Sequence, residues 1–398
     1  MLRSLKKKAL IFTSLGHFLN DSFLVTFSIL ITYYIEMGFS PLFLGLMGAI
    51  INIVSGLFSM WVGREADRIG NHDKLMLIGF LIIAISLFLF GLTFVYKFLW
   101  LIAISSILLG VGLSFYHPLG GSILQFTYGS DSPKALGING SLGSTGRALF
   151  PIVLVFLIEY LGGFVALTII ATYTLVLSSI IYNGIRPIKT KTYSQTQQKE
   201  RAVSFSSFYY VLIPLTVIVF IRSMFVMGVQ TFVPTYLSEI FNSRVIMGIV
   251  LTVSYATAIF GQPFFGRITT SMGGRRVVFI TTIFSAIFYI IFIIARNWIV
   301  ISVIFAAFSF FAFSNFPVLL GYVSQIVDAD VMARANSLVW GIGNTIGGAL
   351  GILLGGYVFQ AFNLKTSMLS FVIIALISSF LLPMIPSKTK KRRAHQKP

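Results

Sequence analysis

Twelve apolar runs, each long enough to cross a membrane, constrain this sequence more than any other feature. A helix spans the hydrocarbon core with about 20 mostly apolar residues, and every run reaches that length. Only 10% of the 398 residues are charged, against about 25% in a soluble domain. We therefore predict an all-α integral membrane protein. Its predicted spans are 9–36, 40–63, 74–95, 97–127, 134–160, 163–185, 207–238, 244–266, 275–295, 297–326, 334–360 and 365–386.

The longest polar stretch, residues 186–206, divides the chain into two sets of six spans. It predicts an N-terminal six-helix bundle over residues 1–185 and a cytoplasmic linker after it. A second six-helix bundle follows over residues 207–386, and a basic tail covers residues 387–398. Because the spans and short connectors take up almost every residue, no soluble domain is expected.

Lysine and arginine are concentrated on one side of the predicted membrane. With both termini inside, the inner segments hold 23 of the 29 Lys and Arg residues, the outer loops hold 4, and two lie within spans. The positive-inside rule therefore predicts a multi-pass protein of the plasma membrane with both termini cytoplasmic. The same distribution explains the net charge of +18 as membrane topology, so the expected partner is the lipid bilayer and no nucleic acid.

The two halves repeat each other at an offset of about 200 residues. Pro118 and Gln125 recur as Pro317 and Gln325. Other pairs are Tyr33 with Tyr236, Glu36 with Glu239, Gly63-Arg64 with Gly266-Arg267, and Lys134 with Arg334. Secondary transporters commonly consist of such repeats, with the substrate site at the bilayer midplane between them.

A glycine-bounded charged motif follows the second span and has a partial copy after the eighth. The first copy reads Gly63-Arg64-Glu65-Ala66-Asp67-Arg68-Ile69-Gly70 and resembles the G-x-x-x-D-R-x-G loop of the major facilitator superfamily. The second copy keeps Gly266, Arg267, Gly273 and Arg275 but has Thr270 in place of the aspartate. The resemblance implies two pseudo-symmetric six-helix bundles. The charges at these helix ends can latch one packing of the bundles, so we expect a conformational switch loop. Its predicted residues are Gly63, Arg64, Asp67, Arg68, Gly70, Gly266, Arg267, Gly273 and Arg275.

Two shorter motifs resemble a narrower branch of that superfamily. Gly16-His17-Phe18-Leu19-Asn20-Asp21 and Phe115-Tyr116-His117-Pro118 are similar to the G-H-x-x-N-D and F-H-P patterns of fosmidomycin-resistance proteins. Members of that branch resemble proton-driven drug exporters. The fourth span lacks the arginine that typical drug/proton antiporters carry there, so the direction of transport stays open.

Three ionisable residues lie deep within spans: Asp21, Arg147 and Arg222. At 1.5 Å per residue they are roughly 18–22 Å from the cytoplasmic ends of their helices, near the midplane. Charges at that depth are costly, about 2.5–3.5 kcal/mol on insertion scales, and usually mark ion or substrate pathways. Asp21 is the predicted proton site; the alternative is that it only packs against a neighbouring helix.

His17 lies four residues before Asp21 and shares its helix face. His117 lies at similar depth in span 4, and the family arrangement implies that the two histidines approach each other. Imidazole changes charge near neutral pH, which suits proton coupling. Two histidines and an aspartate can also bind zinc, but no metal-binding spacing accompanies them, so no metal is expected. The remaining alternative is hydrogen-bonded packing.

A guanidinium reads carboxylate or phosphate bidentately, so Arg222 and Arg147 are predicted to bind an anionic substrate. Internal salt bridges are the alternative for both, with Asp21 as the partner of Arg222. The other predicted substrate contacts are Asn20, Tyr33, Tyr116, Gln230, Tyr255, Gln262, Asn315, Trp340 and Asn344.

The sequence predicts a secondary active transporter that works by alternating access as a monomer. It contains no phosphate-binding loop and no catalytic motif, so we expect neither ATP hydrolysis nor enzyme activity, and no cofactor. We expect proton-coupled export of a small drug-like or anionic compound. The alternatives are proton-coupled uptake of a sugar or organic anion, and a pH-independent uniporter.

Overall fold

The fold is described by a computed structural model over residues 2–188, 205–327 and 329–385. These residues are helical and contain no strand. Twelve helices are long and apolar enough to span a membrane, and they confirm the twelve predicted spans. They are α1 (Ser4–Glu36), α2 (Pro41–Ile69), α3 (His72–Tyr96), α4 (Leu99–Tyr128), α5 (Ser132–Leu161), α6 (Gly163–Ile185), α7 (Phe205–Phe241), α8 (Arg244–Met272), α9 (Gly274–Ile294), α10 (Trp298–Ile326), α11 (Arg334–Ala361) and α12 (Leu364–Met384).

The helices form two compact units. Unit 1 comprises Met1–Gln195 together with Leu237–Thr252, and unit 2 comprises Thr196–Tyr236 with Val253–Pro398. The start of α8 thus packs with the first repeat, where the Thr252 hydroxyl accepts a hydrogen bond from the backbone of Ile152 at 3.2 Å. The predicted linker beyond Ile188 and before Phe205, and the basic tail, lie outside the described residues.

Three spans are broken near their middle. α1 is broken between Phe23 and Thr26, α4 between Leu113 and Tyr116, and α10 between Ala312 and Asn315. Prolines explain the breaks in α4 and α10, because a proline nitrogen cannot donate to the carbonyl four residues earlier. Pro118 leaves the carbonyl of Ser114 free, and Pro317 leaves that of Phe313 free.

Side chains from neighbouring helices satisfy these freed carbonyls, as a membrane interior requires. The Ser59 hydroxyl of α2 lies 3.2 Å from Ser114 O and 2.8 Å from Ser55 O of its own helix, so it can donate to either carbonyl. In unit 2 the Gln262 amide of α8 donates to Phe313 O at 3.5 Å. Gln262 is therefore the repeat equivalent of Ser59. The hydrogen bond of its side chain goes to the backbone at the break in α10. The break in α4 lies just upstream of His117 and Pro118.

The predicted switch loop was wrong in its secondary structure, because most of it is helical. α2 continues through Gly63, Arg64, Asp67 and Arg68 and ends at Gly70, which adopts φ +70°. Arg68 pairs with Glu65 within this last part of the helix. A helix of 29 residues is about 44 Å long, so its backbone bonding extends into water beyond the apolar run. Likewise Gly266 and Arg267 lie in α8, Arg275 lies in α9, and only Gly273 (φ +85°) is a turn residue.

Helix α11 contains a π-helical segment, Ser337–Ile346, that its counterpart α5 lacks. The repeat offset changes across this segment. Gly143 packs on His17 of α1, and its counterpart Gly343, 200 residues later, packs on Val219 of α7. Gly146 packs on Phe18, but its counterpart Gly347, which packs on Phe220, lies 201 residues later. Because a π-helical segment accommodates an added residue, α11 holds one more residue between its two packing glycines than α5 does.

Candidate functional site

Close packing of α5 on α1 brings the buried charges of unit 1 together. A Cβ atom on Gly146 would overlap the carbonyl oxygen of Phe18, and one on Gly143 would overlap the His17 ring. Only glycine allows the two backbones to approach this closely. As a result Arg147 of α5 reaches Asp21, which lies just before the break in α1.

Asp21 accepts contacts at both carboxylate oxygens. Arg147 Nη2 donates to Oδ2 at 2.6 Å, a distance typical of a charge-assisted hydrogen bond. Oδ1 accepts from Asn20 Nδ2 at 3.2 Å. The Nε2 atoms of His17 and His117 lie 3.5 and 3.6 Å from the same oxygen. We call Asp21, His17, His117 and Arg147 the Asp21 cluster; it brings together all three residues predicted for proton coupling.

Exposure increases outward through the Asp21 cluster. The Asp21 side chain is 3% exposed, His17 13% and His117 53%. His117 is therefore the most exposed member of the cluster, and its Nε2 faces the buried carboxylate. The internal salt bridge considered for Arg147 is present. The ion-pair partners of Asp21 are His17, His117 and Arg147, which all belong to unit 1. Arg222 is not among them, so the alternative pairing of Asp21 with Arg222 is absent.

Asn139 on α5 is a buried part of this site that the sequence analysis did not single out. Its Oδ1 lies 2.8 Å from His17 Nδ1. Its Nδ2 donates to Tyr116 Oη at 2.9 Å and to Thr13 Oγ1 at 3.3 Å. Tyr116 in turn donates to the Thr13 carbonyl at 2.8 Å. Asn139, Gly143 and Arg147 are spaced four residues apart and therefore lie on one face of α5. That spacing is a sequence signal that could have placed Asn139 in the site.

His17, Asp21 and His117 also have the spacing of a metal-ligand set, with candidate ligand atoms within 4.8 Å of one another. Arg147 argues against this use. Its guanidinium is permanently charged and already occupies the second carboxylate oxygen at 2.6 Å. A divalent cation beside Oδ1 would be repelled by that charge, whereas a single proton adds less charge. The use of this cluster as a proton site stays a prediction.

Arg222 of α7 is the corresponding buried charge of unit 2. It is 4% exposed, and Nη2 donates to the carbonyls of Ala312 at 3.1 Å and Phe311 at 3.5 Å, next to the break in α10. Its Nε has no hydrogen-bond partner, and no carboxylate of the described residues pairs with it within the salt-bridge distance. Gly146 packs on Phe18 and Gly347 packs on Phe220, so Phe18 and Phe220 are equivalent positions of the two repeats. Arg222 lies two residues after Phe220 and therefore corresponds to Asn20, which lies two residues after Phe18.

The other predicted substrate residues are distributed over both units. Tyr33 donates to Glu159 at 3.0 Å and lies below Arg244, which bridges Glu36 and Glu159 at 3.3 Å each. These four residues line a cavity of about 440 Å³ in unit 1. Tyr33 and Glu36 lie 12 and 15 residues after Asp21, towards the other end of α1. In unit 2 Asn344 accepts from Ser223 at 2.9 Å, Tyr255 packs on Phe313, and Trp340 packs against the hydrophobic core. Gln230 and Asn315 are buried.

Comparisons with known proteins agree with this architecture. The family model described as Major Facilitator Superfamily matches residues 10–242 and 215–398. A relative described as multi-drug resistance efflux pump PmrA homolog, from Lactococcus lactis subsp. lactis (strain IL1403), is 23% identical over 397 residues, covering 94% of this chain and 95% of its own.

Two kinds of solved structure share the fold. One is a bacterial homologue of the human lysosomal transporter Spinster, with a TM-score of 0.78 and 14% identity over 96% of this chain and 98% of its own. The other is the nucleoside transporter NupG, with a TM-score of 0.73 and 17% identity over 96% of this chain and 100% of its own. At these identities the likeness concerns the fold alone.

Proposed function

This chain belongs to the major facilitator superfamily, and from that premise we propose that it exports a small drug-like compound in exchange for protons. The superfamily resemblance of the charged motif is thereby confirmed, and the chain is a membrane transporter. The narrower resemblance to fosmidomycin-resistance proteins stays a prediction. The proposal includes alternating access by a single chain and cytoplasmic termini in the plasma membrane.

The observation that carries proton coupling is the contact of a buried carboxylate with a half-exposed imidazole. His117 Nε2 lies 3.6 Å from Asp21 Oδ1, so a proton taken from water by His117 has a short path to Asp21. Protonation of Asp21 removes the negative charge that holds Arg147. One proton therefore changes both the net charge of the cluster and the attachment of α5 to α1.

Exchange follows when the transported compound and the proton compete for this cluster. A neutral or cationic amphipathic compound that binds beside the unprotonated carboxylate is displaced when a proton arrives from the outside. The efflux function in the name of the Lactococcus relative supports this direction. The apolar and aromatic composition of the spans suits a drug-like compound of this kind.

A second candidate function, uptake of an organic anion together with a proton, is favoured by the arginines. Protonation of Asp21 frees the Arg147 guanidinium, and Arg222 has unused donors, so the protonated protein attracts an anion more strongly than the unprotonated one. Proton and anion would then bind together and move in the same direction. A uniporter, the third candidate, leaves the Asp21 cluster purely structural.

Proteoliposomes with opposite pH gradients separate the three functions. Ethidium serves as the cationic probe and carboxyfluorescein as the anionic probe, with the membrane potential clamped by potassium and valinomycin. We expect ethidium to accumulate when the lumen is acidic, because protons leave as the probe enters. Accumulation of carboxyfluorescein in an alkaline lumen would identify symport instead.

The sign of the required gradient does not depend on how the protein inserts into the vesicle. Protein-free liposomes and vesicles treated with nigericin provide the controls for passive partition. If both probes only equilibrate, whatever the gradient, proton coupling is excluded and the uniporter stands.

Arg222→Gln is expected to weaken binding of anions selectively. A hydrogen bond to a charged group contributes about 1.5–3 kcal/mol, so its loss should raise the carboxyfluorescein concentration needed for thermal stabilisation by about tenfold or more. The measurement is the melting temperature of purified protein against probe concentration. Arg276→Gln, which changes an exposed arginine of α9, is the matched control. An unchanged titration in Arg222→Gln would remove Arg222 from the substrate site.

A further inference from the structure

We propose that Asn139 is a positioning residue that fixes the tautomer of His17, so that the Nε2 lone pair faces Asp21. The proposal rests on the proposed function, because it specifies how the proton site of that function is oriented. It starts from the hydrogen bonds at the two ends of one buried amide. Asn139 itself is 4% exposed and contacts neither Asp21 nor His117 by hydrogen bonds in the described structure.

The nitrogen end of the Asn139 amide is identified by its two partners. The Thr13 hydroxyl uses its only hydrogen to donate to Ala9 O at 2.7 Å, so its oxygen accepts from Asn139. The Tyr116 hydroxyl lies 2.8 Å from Thr13 O and 3.1 Å from Asn139 Oδ1. Its only hydrogen makes the shorter of these bonds, to Thr13 O, so its oxygen accepts from Asn139 Nδ2 at 2.9 Å. Both neighbours require a donor, and only the NH2 group of the amide provides one.

The opposite end of the amide is then the carbonyl oxygen, and it faces His17 Nδ1 at 2.8 Å. A carbonyl can only accept, so Nδ1 donates. A neutral imidazole carries one hydrogen, and with that hydrogen on Nδ1 the Nε2 atom presents a lone pair. That lone pair faces Asp21 Oδ1 at 3.5 Å.

Two acceptors that face each other at this distance repel unless a proton lies on one of them. The Asn139 bond therefore makes the His17–Asp21 pair hold a proton more tightly than the other tautomer would, since that tautomer already donates from Nε2. The charged and titratable groups facing His17 are Asp21 on α1, Tyr116 and His117 on α4, and Arg147 on α5 across Asp21. Among the described residues α3 places Met76 beside this turn, next to Gly16.

The tautomer can be observed directly by ¹⁵N NMR on histidine-labelled protein, which contains four histidines. His17→Gln assigns the His17 signals. We expect the neutral His17 of the unchanged protein to show a protonated Nδ1. Asn139→Leu, which keeps the side-chain size but removes both polar ends, should move the proton to Nε2. Asn139→Ala, which also removes both polar ends but adds no apolar bulk, should move the proton to Nε2 as well.

The pH profile of gradient-driven ethidium accumulation gives the second readout. For Asn139→Leu we expect the midpoint to move to lower pH by about one unit, since the cluster holds its proton about tenfold less tightly. Asn183→Leu, which removes an exposed asparagine of α6, is the matched control and should leave the profile unchanged.

An unchanged His17 tautomer in folded Asn139→Leu protein would overturn the proposal, and so would a protonated Nε2 in the unchanged protein. If Asn139→Leu does not fold, Asn139→Ala and the unchanged protein still decide the assignment. The NMR result does not require transport. Gradient-independent flux therefore refutes the proposed function while leaving the tautomer to be judged on its own.

Discussion

Asp21→Asn is expected to abolish gradient-driven accumulation of the transported compound. Asparagine has the size of aspartate but cannot take up a proton, so His117 loses the acceptor at 3.6 Å. Accumulation in proteoliposomes should fall at least about tenfold, to the level of protein-free vesicles, while exchange of labelled for unlabelled probe without a gradient continues. Full gradient-dependent accumulation in this variant would show that Asp21 does not carry the coupling proton.

Stability must be separated from coupling in this experiment, because Arg147 loses its partner as well. Removing one member of a buried ion pair costs about 3–5 kcal/mol, and less here since the Arg147 side chain is 21% exposed. The double variant Asp21→Asn with Arg147→Leu removes both charges and should regain part of that stability. Asp131→Asn is the matched control, because Asp131 is 75% exposed and only contacts Lys6 at 4.0 Å.

Gly146→Ala is expected to have the second-largest effect, on both stability and coupling. The added methyl group would overlap the backbone oxygen of Phe18, which cannot rotate away as a side chain can. Forcing α5 away from α1 should cost about 1–3 kcal/mol and lower the melting temperature by several degrees. It should also lengthen the Arg147–Asp21 contact and weaken gradient-driven accumulation.

Gly140→Ala provides the control on the same helix, six residues or about 1.7 turns earlier. A Cβ atom on Gly140 would meet nothing within 4 Å, and alanine is a better helix former than glycine by about 1 kcal/mol. We expect unchanged or slightly higher stability in this variant. A melting temperature that falls equally in both variants would show that backbone approach at Gly146 is not what matters.

The spans could be predicted because hydrophobic length is a local property of the chain. The ends of α2 and α8 could not, since hydropathy ends at the bilayer surface while backbone hydrogen bonds continue to Gly70 and to Met272. The sequence therefore indicated a loop at Gly63–Gly70 where the structure has two more turns of helix. Composition marks the membrane boundary, and the last backbone hydrogen bond marks the end of the helix.

Within the Asp21 cluster, the pairing of His17 with Asp21 was predictable from their spacing on one helix. The partner of Asp21 was not, because Arg147 and Arg222 have similar calculated depths and only the packing of α5 on α1 distinguishes them. Asn139 was missed because an isolated asparagine in an apolar run is a weak signal. Its importance depends on Thr13 and Tyr116, which belong to two other helices.

The π-helical segment of α11 bears on how the two halves could diverge after duplication. An added residue in an ordinary α-helix rotates everything beyond it by about 100°, which would turn Gly347 and Gly351 away from α7. The wider turn of Ser337–Ile346 absorbs the extra residue, and both glycines still contact the backbone of α7. The length difference between α5 and α11 is thus confined to a single stretch of one helix. Removing one residue from that stretch should return α11 to the register of α5, with the glycine face preserved.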